Sequence, residues 1–189
     1  GIEDQLGQES TPEEYVENLV KALDMWRPFL RPTGSIFLNI GDTYNRLSTT
    51  GIPGMFVEAA RKDGWTIRNE IIWSKPNGIP SSASDRLAAR HEQIFHLVDN
   101  RDYYYDLFGY SKAYGNGSNS GDVWEISHEM NRSGHLAPLP SDLVRRAVTL
   151  ACPPSVCTEC GHVSSRGLER DPESLGTSRQ QARRDSETY

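Results

Sequence analysis

The sequence predicts an α/β fold built in three layers, with helices on both sides of a central sheet. Segments with helical apolar spacing alternate with short apolar runs of strand length. Gly, Pro and Asp clusters punctuate the boundaries between them. The chain has 189 residues, 36% of them hydrophobic, which is enough for one core of ordinary size.

Thr11-Pro12-Glu13-Glu14 opens the first helix. Thr11 can accept a first-turn N–H, Pro12 suits the first helical position and Glu14 completes a capping box. Tyr15, Leu19, Leu23, Trp26 and Leu30, flanked by Val16 and Val20, form its apolar face, and Arg31-Pro32-Thr33-Gly34 stops it. Residues 35–40 suit a strand buried on both faces. A polar loop, 42–50, leads to a second helix over 52–62, with Pro53 at its start and Asp63-Gly64 at its end. Residues 65–73 are rich in β-formers and stop at Lys75-Pro76. A Ser-, Pro- and Gly-rich loop then runs to about Ala89, and 91–98 form a third strand.

From Asp99 the character changes. Tyr103-Tyr104-Tyr105 precede a Gly- and Asn-rich loop from Tyr110 to Gly121, then a short strand at 123–126. Pro140-Ser141-Asp142 starts a last helix, capped by Ser141 or Asp142, with Leu143, Val144, Ala147, Val148 and Ala151 apolar. Beyond Cys160 the chain holds neither Phe nor Trp and is expected to be poorly ordered. These features set a main domain at 1–151, containing a loop region at 99–134, and a Cys-containing segment with its tail at 152–189.

Composition excludes collagen-like and wholly disordered classes. No apolar run reaches the length of a membrane span and no leader pattern opens the chain, so no membrane partner is expected. Starting at Gly1 without Met, the chain reads as a processed product or a fragment. Three clustered cysteines argue for a reducing compartment or a metal rather than a disulfide framework. The net charge of −6 disfavours nucleic acid only on average. Residues 1–32 hold three Lys/Arg against seven Asp/Glu, whereas 61–101 hold seven against five.

An ordered set of landmarks carries a family resemblance. Leu30-Arg31-Pro32-Thr33-Gly34 runs into a strand ending in Asn39-Ile40-Gly41-Asp42-Thr43-Tyr44; Gly64-Trp65, Glu70–Pro76 with Asn77, and Arg90-His91-Glu92-Gln93-Ile94-Phe95 follow. Tyr103–Asp106, Val123-Trp124-Glu125-Ile126 and a segment from His135 to Leu143 complete the order. Over residues 1 to about 160 the chain resembles the DNA amino-methyltransferases that act on cytosine N4 or adenine N6, in the permuted group whose catalytic half comes first. The resemblance implies a Rossmann-like, three-layer fold with an incomplete sheet, S-adenosylmethionine as cofactor and double-stranded DNA as substrate. It also implies a target base swung out of the helix, a bacterial, archaeal or phage cytoplasmic setting, and a restriction endonuclease as companion. Two of the family's elements are missing from the sequence. The tetrapeptide of Asp, Asn or Ser before Pro-Pro and an aromatic is expected upstream of Gly1, and the sole Pro-Pro pair lies in Cys152-Pro153-Pro154-Ser155. The glycine-rich cofactor loop is expected after residue 151, and Gly115-Asn116-Gly117 has neither the strand before it nor the helix after it. The chain is therefore expected to be inactive alone. A non-catalytic DNA-binding or partner subunit, and a fragment of a small-molecule methyltransferase, are the alternatives.

Candidate residues follow. Asn39, Gly41 and Asp42 end a strand, where open α/β sheets bind ligands, and otherwise make a turn. His135, Pro138, Pro140, Asp142 and Leu143 match the family segment over the cofactor's methionine end; an ordinary capped helix is the alternative. Trp73, Lys75 and Asn77 end the next strand: Lys75 suits a phosphate, and Trp73 suits either the core or a flipped base. Arg86 and Arg90 suit the DNA backbone or plain solvent. The family places His91 and Glu92 near the target base, and one of the three tyrosines, Tyr104 among them, could offer a ring to a base. The spacing Cys152-x4-Cys157-x2-Cys160 suits half of a zinc site; free thiols are the alternative.

Overall fold

Residues 5–78, 80–129 and 139–164 are described by a computed structural model, in which the chain divides into two units, Gly1–Pro153 and Pro154–Tyr189. His135, Pro138 and the tail beyond residue 164 lie outside the described residues.

In the first unit, α1 (Pro12–Trp26) begins as its sequence dictates. Thr11 Oγ1 accepts the Glu14 N–H at 3.1 Å, and the Glu14 carboxylate reaches back to the Ser10 N–H at 3.2 Å. Val16, Leu19, Val20 and Leu23 are buried. Trp26, expected in the apolar face, is instead exposed, because the α-helix ends there and Pro28 sits in a single 3-10 turn, Arg27–Phe29. Arg27 turns inward in its place, with its guanidinium 4.3 Å from the Trp65 ring centroid. It also pairs with Asp24, Asp63 and Asp99 at 3.1, 2.9 and 3.2 Å.

β1 (Ile36–Ile40) leads through a two-stranded hairpin, β2 (Tyr44–Asn45) and β3 (Ser48–Thr49), to α2 (Ile52–Lys62). β4 (Thr66–Ser74) and β5 (His91–Val98) follow, then α3 (Leu107–Tyr114), β6 (Val123–Glu125) and α4 (Ser141–Ala151). The main sheet has the order β1-β5-β4-β6. β5 runs antiparallel to both β1 and β4, and β6 runs parallel to β4, so β1, β4 and β6 share one direction.

Alternation along β5 assigns the layers. Phe95 and Leu97 join Leu23 and Phe56 in the cluster that α1 and α2 cover. Ile94 joins Trp73, Trp124, Tyr110, Leu143 and Leu150 in the cluster beneath α3 and α4. The expected three layers are thus present. Arg146 of α4 ties the second cluster together: it pairs with Asp142 at 3.0 Å and its guanidinium lies 4.7 and 5.7 Å from the Tyr114 and Trp124 rings.

Several local expectations need correcting. β1 is not buried on both faces: only Ile40 is buried, since β1 pairs with β5 alone among the described strands. The glycine- and asparagine-rich loop from Tyr110 contains part of α3, which Asp106 caps by accepting the Gly109 N–H at 2.7 Å; Tyr110 is buried. On α4, Leu143 and Leu150 face the core while Val144 and Val148 stand about half exposed. Pro140 precedes that helix, so neither Ser141 nor Asp142 caps it. Glu129 does so instead, accepting the Ser141 N–H at 2.8 Å and its hydroxyl.

His96 is a buried titratable group of the core. It lies stacked between Phe37 (ring centroids 4.5 Å apart) and Tyr105 (5.5 Å), with Nε2 2.9 Å from Ser35 Oγ. Burial, aided by the charge of Arg68, pushes its pKa down to about 4, so the ring stays neutral in the fold. The folded value lies below the unfolded one, so the stabilising contribution is complete above pH 6.5 and is lost as pH falls toward 4. The loss should amount to roughly 2–3 kcal/mol. Urea midpoints at about pH 7 and pH 5 should therefore differ more in the parent than in His96→Gln; equal differences would show that His96 does not carry this dependence.

Candidate functional site

Because β5 runs against its neighbours, its first residues meet the last residues of β1, β4 and β6 at one edge of the sheet. Ile40 and Ile72 both face Gln93, Trp73 lies opposite Glu92, and Ser74 lies between His91 and Glu125. Lys75 forms an ion pair with Glu92, and its Nζ also sits 4.3 Å from the Trp73 ring centroid. Both charged side chains are mostly buried, where an ion pair holds its geometry more firmly than in water. Gly41 comes close enough to Glu92 that a Cβ there would lie 3.4 Å from its side chain.

Two loops rise from this edge. The first, after β1, is clamped by Asp42, whose carboxylate accepts from Thr43 N (2.9 Å), Thr50 Oγ1 (2.5 Å), Gly51 N (3.1 Å) and Ile52 N (3.4 Å). Burial opposes its ionisation, but these bonds outweigh that effect and hold its pKa below the ordinary carboxylate range. Gly51 supplies the left-handed turn (φ 75°) that starts α2. The second loop, after β4, is closed by Lys75 N donating to Arg90 O at 2.8 Å. Arg90 Nη1 donates to Gly78 O at 2.7 Å within it. The two loops meet where the Arg86 guanidinium covers the Tyr44 ring, 3.6 Å from its centroid.

The residues singled out from sequence are not all brought together. Gly41, Asp42, Lys75, His91 and Glu92 are gathered at the sheet edge, with Arg86 and Arg90 on the loop above. Asn77 is nearby but bridges to the chain after β6, its Oδ1 accepting the His128 N–H at 2.9 Å. Trp73 is a core residue, 3% exposed, whose Nε1 donates to Ile126 O at 2.8 Å; it offers no open face for a base. Tyr104 sits elsewhere, bonded through its N–H to Thr33 O at 2.8 Å. Sequence reasoning passed over Tyr44, Arg46, Leu47 and Leu87, although an Arg-Leu dipeptide in each loop was a legible signal.

Of the residues named for the cofactor, His135 lies outside the described residues and most of the others have partners within the fold. Asn39 Nδ2 donates to Gln93 O (3.1 Å), Asp42 is committed to its clamp, Asp142 is paired with Arg146, and Pro140 is buried in the core. Gly41 is exposed at the end of β1.

In the second unit, a hairpin spans 155–164. Val156 and Val163 form a bridge, Cys157 N donates to His162 O (2.9 Å), Gly161 N donates to Cys157 O (3.0 Å), and Gly161 takes φ 72°. The backbone N–H groups of Cys160 and Glu159, followed by the Cys160 thiol, hold the Cys157 thiol below its usual range. Cys152 ends α4 in the other unit. Among the described residues no three His, Cys, Asp or Glu side chains gather as metal ligands.

An open α/β sheet with its polar groups and loops at one strand-end edge is the architecture of ligand-binding enzymes of the Rossmann-like kind. The sequence profile of the DNA methylase family, of the N6/N4 type, matches residues 1–158, and the chain belongs to this family. The type II methyltransferase M.Cfr9I of Citrobacter freundii is 28% identical over 185 residues, covering 82% of this chain and 62% of that protein. M.SmaI of Serratia marcescens is 29% identical over 177 residues, covering 76% and 61%. The chain thus spans less than two thirds of the length of these relatives. Among solved structures, the cytosine-N4-specific PvuII DNA methyltransferase shares the fold with a TM-score of 0.66 over 79% of this chain and 58% of that one, at 14% identity. A DNA modification methylase of Thermus thermophilus, solved with S-adenosyl-L-methionine, gives 0.54 over 72% and 58%, at 20% identity. The expected methyltransferase fold is therefore the fold of this chain.

Proposed function

We propose that this chain is the target-facing part of an S-adenosylmethionine-dependent enzyme that methylates an exocyclic amino group, cytosine N4 or adenine N6, in double-stranded DNA. The observation that carries this reading is the shared edge of β1, β4 and β5, where a fixed Lys75–Glu92 pair lies beneath two braced loops bearing Arg46, Arg86 and Arg90. The cofactor supplies a methyl group on sulfonium sulfur for direct transfer to the amino nitrogen, so no covalent enzyme intermediate is required. In this reading the chain's own residues present the base and position its amino group, which is where such a reaction needs help. Companionship with a restriction endonuclease and a cytoplasmic setting in a bacterium, archaeon or phage belong to the same proposal. No helix among the described residues is long and apolar enough to cross a membrane.

The 189 residues hold no Pro-Pro-aromatic motif, so the chain alone should transfer no tritiated methyl group to DNA. It should still bind a labelled duplex at low salt, with log affinity falling linearly against log salt by about 0.9 per phosphate contact. Methyl transfer by this chain would contradict the assignment of the missing catalytic element, and salt-independent binding would contradict the phosphate contacts.

We further infer that the Cys157–Cys160 hairpin is half of a zinc site, supplying two thiolates from one tight turn. Its support is the backbone geometry, which turns both cysteines from one short hairpin and fixes Gly161 behind them. Titrated with zinc, the chain should bind it more weakly than a four-ligand site does and lose that binding on Cys157→Ser; a parent chain that binds no zinc would refute the inference.

A further inference from the structure

The two loops above the sheet edge share an unusual exposure. The β2–β3 turn is Arg46-Leu47, with Arg46 held at φ 57° and Leu47 90% exposed. The loop after β4 presents Arg86-Leu87, with Leu87 91% exposed. A leucine at the tip of a mobile loop needs no explanation, but these loops are braced. Asp42 fastens the first through four donors, the Lys75–Arg90 backbone bond closes the second, and Arg86 stacks on Tyr44 between them. The fold therefore holds two apolar side chains in water, each beside an arginine, at the edge where the strands end.

DNA fits this chemistry better than a protein surface does. An enzyme that swings a base out of the duplex leaves a gap in the stack, and leucine is among the apolar side chains that enter such steps. Arginines beside the wedge suit the flanking phosphates. Residues 61–101, which include the second tip, hold seven Lys/Arg against five Asp/Glu, while Ser10–Glu13 at the start of α1 share a surface hollow with Arg46.

We propose that Leu47 and Leu87 form the wedge that enters the base stack beside the extruded nucleotide, while Arg46 and Arg86 grip the phosphates on either side. The inference rests on the DNA-methylating function proposed above and assigns it positioning residues. In this arrangement the Tyr44–Arg86 stack sets the spacing of the two tips, and the Asp42 clamp prevents the first from folding back when it meets the duplex.

The test compares binding of the full chain to two fluorescent duplexes, one intact and one with a central abasic site that already opens the stack. The parent should favour the abasic duplex by about tenfold, because no stacking has to be broken there. Leu47→Ser/Leu87→Ser should bring that ratio close to one, each single variant should lower it in part, and Arg46→Ala, which leaves the Tyr44–Arg86 stack intact, should weaken both duplexes alike and flatten the salt dependence. A ratio unchanged in the double leucine variant, or absent from the parent, overturns the wedge while leaving DNA binding in place. Failure of the parent to bind either duplex overturns the DNA-directed function itself, and the wedge with it.

Discussion

The position of β5, antiparallel between two strands that run the other way, is the constraint on which the rest of the molecule depends. A parallel strand there would carry His91 and Glu92 to the opposite end of the sheet. Run backwards, it delivers them to the edge where β1 gives way to Gly41-Asp42 and β4 to Lys75. The strand is fixed in that direction by burial on both faces. Phe95 and Leu97 insert beneath α1 and α2, and Ile94 and the neutral His96 insert on the other side. A one-residue slip would exchange these two sets of side chains, so the register that builds the core also aligns Glu92 with Trp73 and Lys75.

From that alignment the loops acquire their rigidity. Asp42 holds the first loop and the start of α2. Its counterpart is Arg90, whose side chain braces the second loop from within. What stands exposed at the loop tips is Leu47 and Leu87, while Arg86 beside the second also braces the loops through its stack on Tyr44.

Much of this was legible in the sequence. The order of helices and strands, the capping of α1, the closure of α2 and the family itself all follow from local signals: Thr11-Pro12, Asp63-Gly64, and a sequence of short landmarks that are weak singly and specific together. What was not legible depended on partners distant in the chain. Trp73 read more readily as core than as base-stacking, and its burial with the bond to Ile126, 53 residues on, places it in the core. The cap of α4 comes from Glu129, twelve residues from Ser141 and outside any local capping pattern. α3 is eight residues long with Gly109 inside it, too short and too glycine-rich for periodicity to show. Trp26 lost its place to Arg27 because three aspartates and the Trp65 ring converge on that guanidinium.

The central claim is that the β1/β4/β5 edge and its two loops face the DNA. Hydrogen exchange of the full chain with and without a bound duplex tests it most directly, since both loops and the acidic α1 surface are read in one experiment. Slowed exchange at residues 42–51 and 86–92, with α1 unchanged, is the predicted result. Protection confined to α1 and α2, with both loops exchanging as in the free chain, would contradict the account.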